Sequence, residues 1–253
     1  MKKVTALIPT FNEEDNLRDC LASVAWADEI LVVDSFSTDN TLEIARQSGA
    51  RIIQREYGSH ASQRNWAIPQ AANEWILLLD SDERVSVALK DNIQTLLHND
   101  PDNHVYIISR KNYFFGHEIN HGSWGHDRIV RFFHRDTSRI EEYGHHGDVI
   151  LDQTPGVISG EIIHLTYRSV DDYFRKFQMY TTEGAKVLYR KNKQSSIIKL
   201  LFSPIWRFTH MYFIRLGFLD GLPGLLICIL SAFYVFTKYF KLWYYHNVSA
   251  PEK

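Results

Sequence analysis

The stretch Trp75-Ile76-Leu77-Leu78-Leu79-Asp80-Ser81-Asp82-Glu83 decides how this chain is read. An unbroken apolar run stops abruptly at three carboxylates, Asp80, Asp82 and Glu83. A run this short, bounded by polar residues, reads as the central strand of a parallel sheet, buried on both faces. In open α/β sheets the ligand lies beyond the carboxyl ends of the strands, which is where these acids fall. Like charges crowded at a strand end repel unless something positive joins them, and a divalent cation is the usual partner. A polar strand-to-helix turn is the plainer alternative.

Working outward, residues 4–8 form a first strand stopped by Pro9. Asn12 is placed to cap a helix whose first turn carries Glu13, Glu14 and Asp15 and whose buried stripe is Leu17, Cys20, Leu21 and Val24. Three carboxylates there would repel a pyrophosphate, and no G-x-G-x-x-G or P-loop follows the strand. Nicotinamide and P-loop chemistry are therefore disfavoured. Residues 30–33 form strand two, ending at Asp34 and a Ser/Thr/Asp/Asn cluster that supplies turn chemistry for a helix over 41–48. Strand three spans 51–54, a helix covers 60–72, another covers 86–98, and a strand follows at 105–108. Such alternation predicts a βαβ-type sheet with polar clusters after three of its strands. Beyond Lys111 the pattern is irregular, with strand-like runs at 129–133, 149–151 and 162–163. A helix after Asp171 follows, with Phe174, Phe177, Thr181 and Leu188 on one face.

The net charge of −2 gives no argument for nucleic acid. The charge is uneven, however. From Lys186 to Lys253 ten Lys/Arg face two acids, leaving eighteen against twenty-eight in the rest. Two cysteines far apart, Cys20 and Cys228, suit a reducing compartment, and the start lacks the apolar core of a signal peptide.

Four motifs in order carry a resemblance: Pro9-Thr10-Phe11-Asn12-Glu13, Val33-Asp34-Ser35-Phe36-Ser37-Thr38-Asp39, Gln63-Arg64-Asn65 and Leu79-Asp80-Ser81-Asp82-Glu83. Together the chain resembles the family 2 glycosyltransferases, inverting nucleotide-sugar-dependent enzymes of the GT-A fold. Further segments (residues 124–135, His145-His146, His164-Leu165-Thr166-Tyr167 and residues 216–221) are similar to the subgroup with lipopolysaccharide-core β-1,4-glucosyltransferases. The resemblance implies an α/β, Rossmann-like GT-A sheet over residues 1–168 that binds a nucleotide sugar. Residues 169–253 are then a helical, membrane-associating extension.

It also implies site roles. Pro9, Phe11 and Glu13 line the uridine pocket of a UDP-sugar, and Asp34 bonds its base or ribose. The family often has two acids after strand two, where this chain has Asp34 and Ser35. Asp80-Ser81-Asp82 matches the D-x-D motif for Mn2+ or Mg2+, with Asp82 the direct ligand and Asp80 nearer the ribose or a metal-bound water. His164 either completes the metal site or is structural. Arg64 faces the diphosphate or holds the Asp80 turn. Inverting transfer needs a carboxylate to take the acceptor's proton. Asp148 is the first candidate, with Asp127 and Glu142 as alternatives. The expected activity moves a hexose, glucose before others, to a lipid-linked or lipopolysaccharide-core saccharide.

Two other readings compete. His117-Glu118-Ile119-Asn120-His121 matches the H-E-x-x-H of zinc hydrolases, but that chemistry needs both histidines on one helix face, and Gly116 and Gly122 bracket the segment. A membrane scaffold that binds a sugar nucleotide without turnover is the other, which the intact Asp80 and Asp82 disfavour. In the tail, residues 221–237 are uncharged but interrupted by Pro223 and Gly224, near the lower limit for a span of ~20 residues. Flanking cations, including Lys191, Lys193, Lys199 and Lys241, and many aromatics suit an anionic membrane surface. The expected location is peripheral, at the cytoplasmic face of the inner membrane. A span, or a buried helical subdomain, is the alternative.

Overall fold

The computed structural model describes residues 2–125, 127–137, 139–140, 154–167 and 169–251. They fall into two compact units: Met1–Arg110 with Arg128–His164, and Lys111–Asp127 with Leu165–Lys253.

In the first unit the elements run β1 (Val4–Thr10), α1 (Glu14–Ser23), β2 (Glu29–Asp34), α2 (Thr41–Gln47), β3 (Arg51–Gln54), α3 (His60–Ala67), β4 (Trp75–Leu78), β5 (Glu83–Val85), α4 (Val87–His98) and β6 (Val105–Phe114, in this unit to Arg110). After β7 (His117–Ile119) of the second unit come β8 (Asp127–His134) and β9 (Gly156–Leu165), which belong to the first unit from Arg128 and up to His164. The strand order is β3-β2-β1-β4-β8-β6-β9-β5.

The decisive run is a central strand, as its composition demands. Ile76 and Leu78 join one core cluster with Leu7, Leu31, Val33 and Phe133. Leu77 and Leu79 join the other, with Ala6, Ile8, Val32 and Phe132. Successive side chains of a strand point to opposite faces. Both faces are covered, by α1, α2 and α4 on one side and by α3 on the other, so apolar residues are required at every position. The sheet is mixed rather than parallel throughout: β4 pairs parallel with β1 but antiparallel with β8.

Several local expectations change. β1 continues through Pro9 to Thr10, because Pro9 lacks only a donor and its carbonyl still accepts from Ser81 Oγ at 3.1 Å. Asn12 does not cap α1. It sits in the left-handed region (φ 53°), and its Oδ1 accepts from the Thr38 N–H at 2.8 Å, tying the turn after β1 to the turn after β2. α3 ends at Ala67, where the Ile68-Pro69 step tightens the chain into a 3₁₀ turn over Ile68–Gln70. The run at 129–133 lies within β8 and that at 162–163 within β9, whereas 149–151 lies outside the described residues.

The second unit holds β7, α5 (Val170–Arg190), α6 (Ile197–Thr209) and α7 (Gly221–Asn247). Its core is Phe114, Ile119, Tyr173, Phe177, Met211, Ile227 and Cys228. The buried stripe of α5 is Tyr173, Phe177, Thr181, Gly184 and Ala185, so Phe174 is turned outward, one position off the expected face. Pro223 and Gly224 do not interrupt α7. Proline in the first turn gives up only an N–H that has no helical partner. A Cβ at Gly224 would lie 2.1 Å from the Gly217 carbonyl oxygen, so the missing side chain allows a close backbone approach. The resulting stretch Gly217–Asn247 is long and apolar enough, by length and composition, to cross a membrane.

Candidate active site

The parallel strands β1, β2, β3 and β4 end on one edge, where the turns after β1, β2 and β4 carry the acids of three of the motifs, while Arg64 of the remaining motif lies on α3. After β1, Phe11 is 51% exposed. After β2, Phe36 is equally exposed and is held at φ 63°, a left-handed conformation costly for a bulky residue. The two turns brace each other, since the Asn12 N–H also donates to Ser37 Oγ at 2.8 Å. Asp34 is fully buried beneath them. Its oxygens accept from the Ser37 N–H (3.0 Å), Ser37 Oγ (2.5 Å) and Gln54 Nε2 (2.9 Å). The carboxylate therefore shapes the turn that presents Ser35 and Phe36. Glu13 precedes α1, its Oε2 accepting from Asn16 Nδ2 at 2.6 Å and its N–H donating to Thr41 Oγ1 at 2.8 Å.

The turn from Asp80 to Glu83 is closed on itself: the Glu83 N–H donates to the Asp80 carbonyl (2.9 Å) and the Asp80 N–H to Glu83 Oε2 (3.0 Å). Arg84 staples it from below, donating to the carbonyls of Ser81 (2.8 Å) and Asn16 (2.7 Å). Like-charge repulsion among the acids is relieved by arginines. Asp80 Oδ1 accepts from Arg64 Nη2 and Asp80 Oδ2 from Arg131 Nη2, each at 2.5 Å. Glu83, fully buried, accepts at Oε1 from Arg110 Nη1 and Arg131 Nη2, each at 3.1 Å. Burial alone would push the Asp80 carboxyl up. Arg131, and then Arg64, outweigh it and hold Asp80 well below the usual carboxylate range. The same pairing raises Arg131 above its ordinary value against its own burial.

Asp82 has a different neighbour. β5 pairs with β9 so that Glu83 stands opposite His164, and this register brings His164 Nε2 to 3.6 Å from Asp82 Oδ1. Both side chains are largely enclosed, at 14% and 15% exposure. Two ligands each ~2.1 Å from one cation are roughly 3–3.6 Å apart, so this imidazole and carboxylate fit a shared divalent ion. Among the described residues no cluster of three or more His, Cys, Asp or Glu could hold a metal. A cation here would complete its shell with oxygens of a bound diphosphate or water. Asp80 instead spends its oxygens on the two guanidinium groups.

Asp148 and Glu142 lie outside the described residues. Asp127 lies in the second unit, where Asn112 Nδ2 donates to its Oδ2 at 3.4 Å and to the Trp124 carbonyl at 2.8 Å. The H-E-x-x-H segment is not helical. His117–Ile119 is β7, and His121 Nδ1 bonds Asp220 Oδ1 at 2.9 Å while its N–H donates to Asp220 Oδ2 at 2.8 Å. The histidines of a zinc helix are not reproduced. Sequence reasoning missed Arg131 and Arg110. The signal for Arg131 was present: a charge between Val130 and Phe132 in a buried strand needs an acid opposite it.

Acids gathered at the carboxyl ends of parallel strands, on a sheet that continues from β4 into antiparallel β8, fit the GT-A architecture of a glycosyltransferase. The sequence profile of glycosyl transferase family 2 matches residues 5–150, more than half of the chain, and the chain belongs to that family. An uncharacterized glycosyltransferase of Rickettsia typhi is 28% identical over 254 residues, spanning 96% of this chain and 87% of its own length. The lipopolysaccharide core biosynthesis glycosyltransferase LpsC of Rhizobium meliloti is 26% identical over 254 residues, spanning 98% and 94%. Among solved structures, S. aureus TarS 1–349 aligns with a TM-score of 0.48 at 17% identity, covering 94% of this chain and 91% of that one.

Proposed function

We propose that the protein transfers a hexose, glucose before others, from a UDP-sugar to a lipid-linked or lipopolysaccharide-core saccharide, with inversion. The observation that carries this reading is the braced Asp80–Glu83 turn, which sets Asp82 against His164 at the carboxyl edge of the sheet. Family membership supports the reaction class, and the similarity to LpsC supports the acceptor class.

In this reading Phe11 offers an exposed ring for the uracil, with Pro9 and Glu13 beside it and Asp34 fixing the neighbouring turn. Asp82 and His164 would hold Mn2+ or Mg2+, with Asp80 and Arg64 fixing the turn that carries Asp82. Such a cation supplies charge stabilisation for a leaving diphosphate. The acceptor hydroxyl oxygen forms its bond to the anomeric carbon while the bond from that carbon to the diphosphate breaks on the opposite face. A carboxylate takes the hydroxyl proton, Asp148 first, with Asp127 and Glu142 as alternatives. A general base of this kind contributes typically ~10²–10⁴ in rate.

Membrane association belongs to the same reading, since a lipid-linked acceptor is presented at a bilayer surface. The cation excess from Lys186 onward and the apolar stretch Gly217–Asn247 support membrane association, which this reading takes as peripheral, at the cytoplasmic face of the inner membrane.

Product analysis tests the reaction. With an α-linked UDP-sugar donor, the anomeric proton of the new glycoside should show the large coupling of a β-linkage in the NMR spectrum. An α-linked product would refute inversion, and the assignment of a single displacement with it.

A further inference from the structure

Helix α6 is apolar where it meets solvent. None of its thirteen residues is buried. Leu200, Ser203, Pro204 and Arg207 are half-buried, at the three- and four-residue spacing of one helix face. The opposite face carries Ile198, Leu201, Phe202, Ile205 and Trp206, all between 51% and 65% exposed. A single exposed leucine needs no explanation, but a contiguous stripe of this size marks a binding surface.

Charge identifies what the stripe fits. Lys199 flanks it, Lys191 and Lys193 precede it, and Arg215 follows; all four are exposed. Between Lys186 and residue 251 the only acid is Asp220, which is enclosed and accepts from the backbone N–H groups of Asn120 and His121 and from the His121 ring. An apolar stripe rimmed by cations, with no exposed carboxylate among the described residues of α6 and α7, matches an anionic lipid surface.

Packing decides between lying on that surface and crossing it. At 1.5 Å per residue α6 is about 20 Å long, short of the ~30 Å hydrocarbon core. α7 is long enough, but it is bound along its side to α5. Lys241 Nζ donates to the Gln178 carbonyl (3.1 Å), Thr181 Oγ1 (2.8 Å) and Thr182 Oγ1 (2.7 Å). Tyr234 OH donates to the Tyr180 carbonyl at 3.3 Å, and Phe233 stacks on Phe177 at 5.2 Å. α5 carries Asp171, Asp172, Arg175, Lys176, Glu183 and Lys186. Crossing would draw these charges into hydrocarbon, which is costly. Lys241, expected among the lipid-facing cations, is thus committed to α5.

We propose that α6 is an in-plane membrane helix. Ile198, Leu201, Phe202, Ile205 and Trp206 enter the headgroup–acyl boundary of an anionic leaflet, while Lys191, Lys193, Lys199 and Arg215 meet lipid phosphates. The inference rests on the membrane association proposed above and names the segment that performs it.

The test uses the full chain with vesicles of phosphatidylcholine, with and without 30% phosphatidylglycerol as a chosen probe composition, at low and high salt. The wild type should co-sediment with the anionic vesicles, and less so as salt rises. The pair Leu201→Glu/Ile205→Glu should lower the partition coefficient at least tenfold with an unchanged melting temperature, because both side chains are solvent-exposed. Trp206→Phe should remove most of the tryptophan quenching by brominated lipid. Equal binding by the Glu pair, with quenching retained in Trp206→Phe, overturns the role of α6 while leaving membrane association standing. No binding of the folded wild type to either vesicle overturns both. A lipid-independent dimer that the Glu pair disperses overturns the proposal in favour of a second copy of the chain.

Discussion

Asp82→Asn should lower turnover about 10²-fold or more while leaving the melting temperature unchanged. Glu83 and Asp80 hold the turn through arginines, and Ser81 through its bond to Pro9, so the fold does not depend on the Asp82 charge. Asp82 faces His164 across 3.6 Å, and replacing its carboxylate by an amide removes the anionic member of that pair. A divalent cation prefers charged oxygen, so affinity falls, and with it the electrostatic stabilisation of the leaving group. Mn2+ titration in the presence of UDP gives a readout separate from turnover, and the variant should bind the ion more weakly. His164→Ala should move both readouts in the same direction. Near-normal turnover of Asp82→Asn at limiting metal would refute this assignment of the D-x-D turn.

Arg131→Met should be the most damaging substitution for stability, at about 3–5 kcal/mol, the usual cost of stripping one partner from a buried ion pair. Arg131 joins Asp80 at 2.5 Å to Glu83 at 3.1 Å, and its own side chain is only 7% exposed. Without it, fully buried Glu83 keeps one guanidinium, Arg110, besides the Asp80 N–H, and Asp80 keeps one guanidinium, Arg64. Adding Glu83→Gln to Arg131→Met should recover part of the loss, because an amide is cheaper to bury than an uncompensated carboxylate. Denaturant unfolding of the two variants checks both parts. A loss below about 1 kcal/mol in Arg131→Met would mean that Arg110 and Arg64 suffice.

The sheet was legible because its strands are doubly buried. Residues 30–33 and 75–79 are apolar at every position and residues 4–8 at all but Thr5, a pattern that suits a central strand between two helical layers. The antiparallel partner of β4 was not legible, since β8 arrives from fifty residues downstream and nothing local encodes its direction. At the site the acids were visible as a cluster; of their partners, Arg64 and His164 were expected only through the family resemblance, and Arg131 and Arg110 were missed. Arg131, Arg110 and His164 come from strands far along the chain, and only the register Glu83–His164 shows that His164 faces Asp82. Asn12 illustrates a second limit. Its identity suits a helix cap and a left-handed turn equally well, and the bond to Thr38, twenty-six residues away, selected the turn. Pro223 misled in the tail because a proline breaks a helix interior yet suits its first turn.

If the edge built around Asp80 and Asp82 serves UDP-sugar chemistry, the purified chain releases UDP from a UDP-sugar. The most direct measurement incubates the purified chain and Asp82→Asn with a panel of nucleotide sugars in Mn2+ buffer and reads released nucleotide. Slow release of UDP by the wild type without acceptor is expected, from UDP-glucose ahead of other donors, with a fall of about 10²-fold in Asp82→Asn. Release from a nucleotide sugar of another base, or UDP release undiminished in Asp82→Asn, would contradict it.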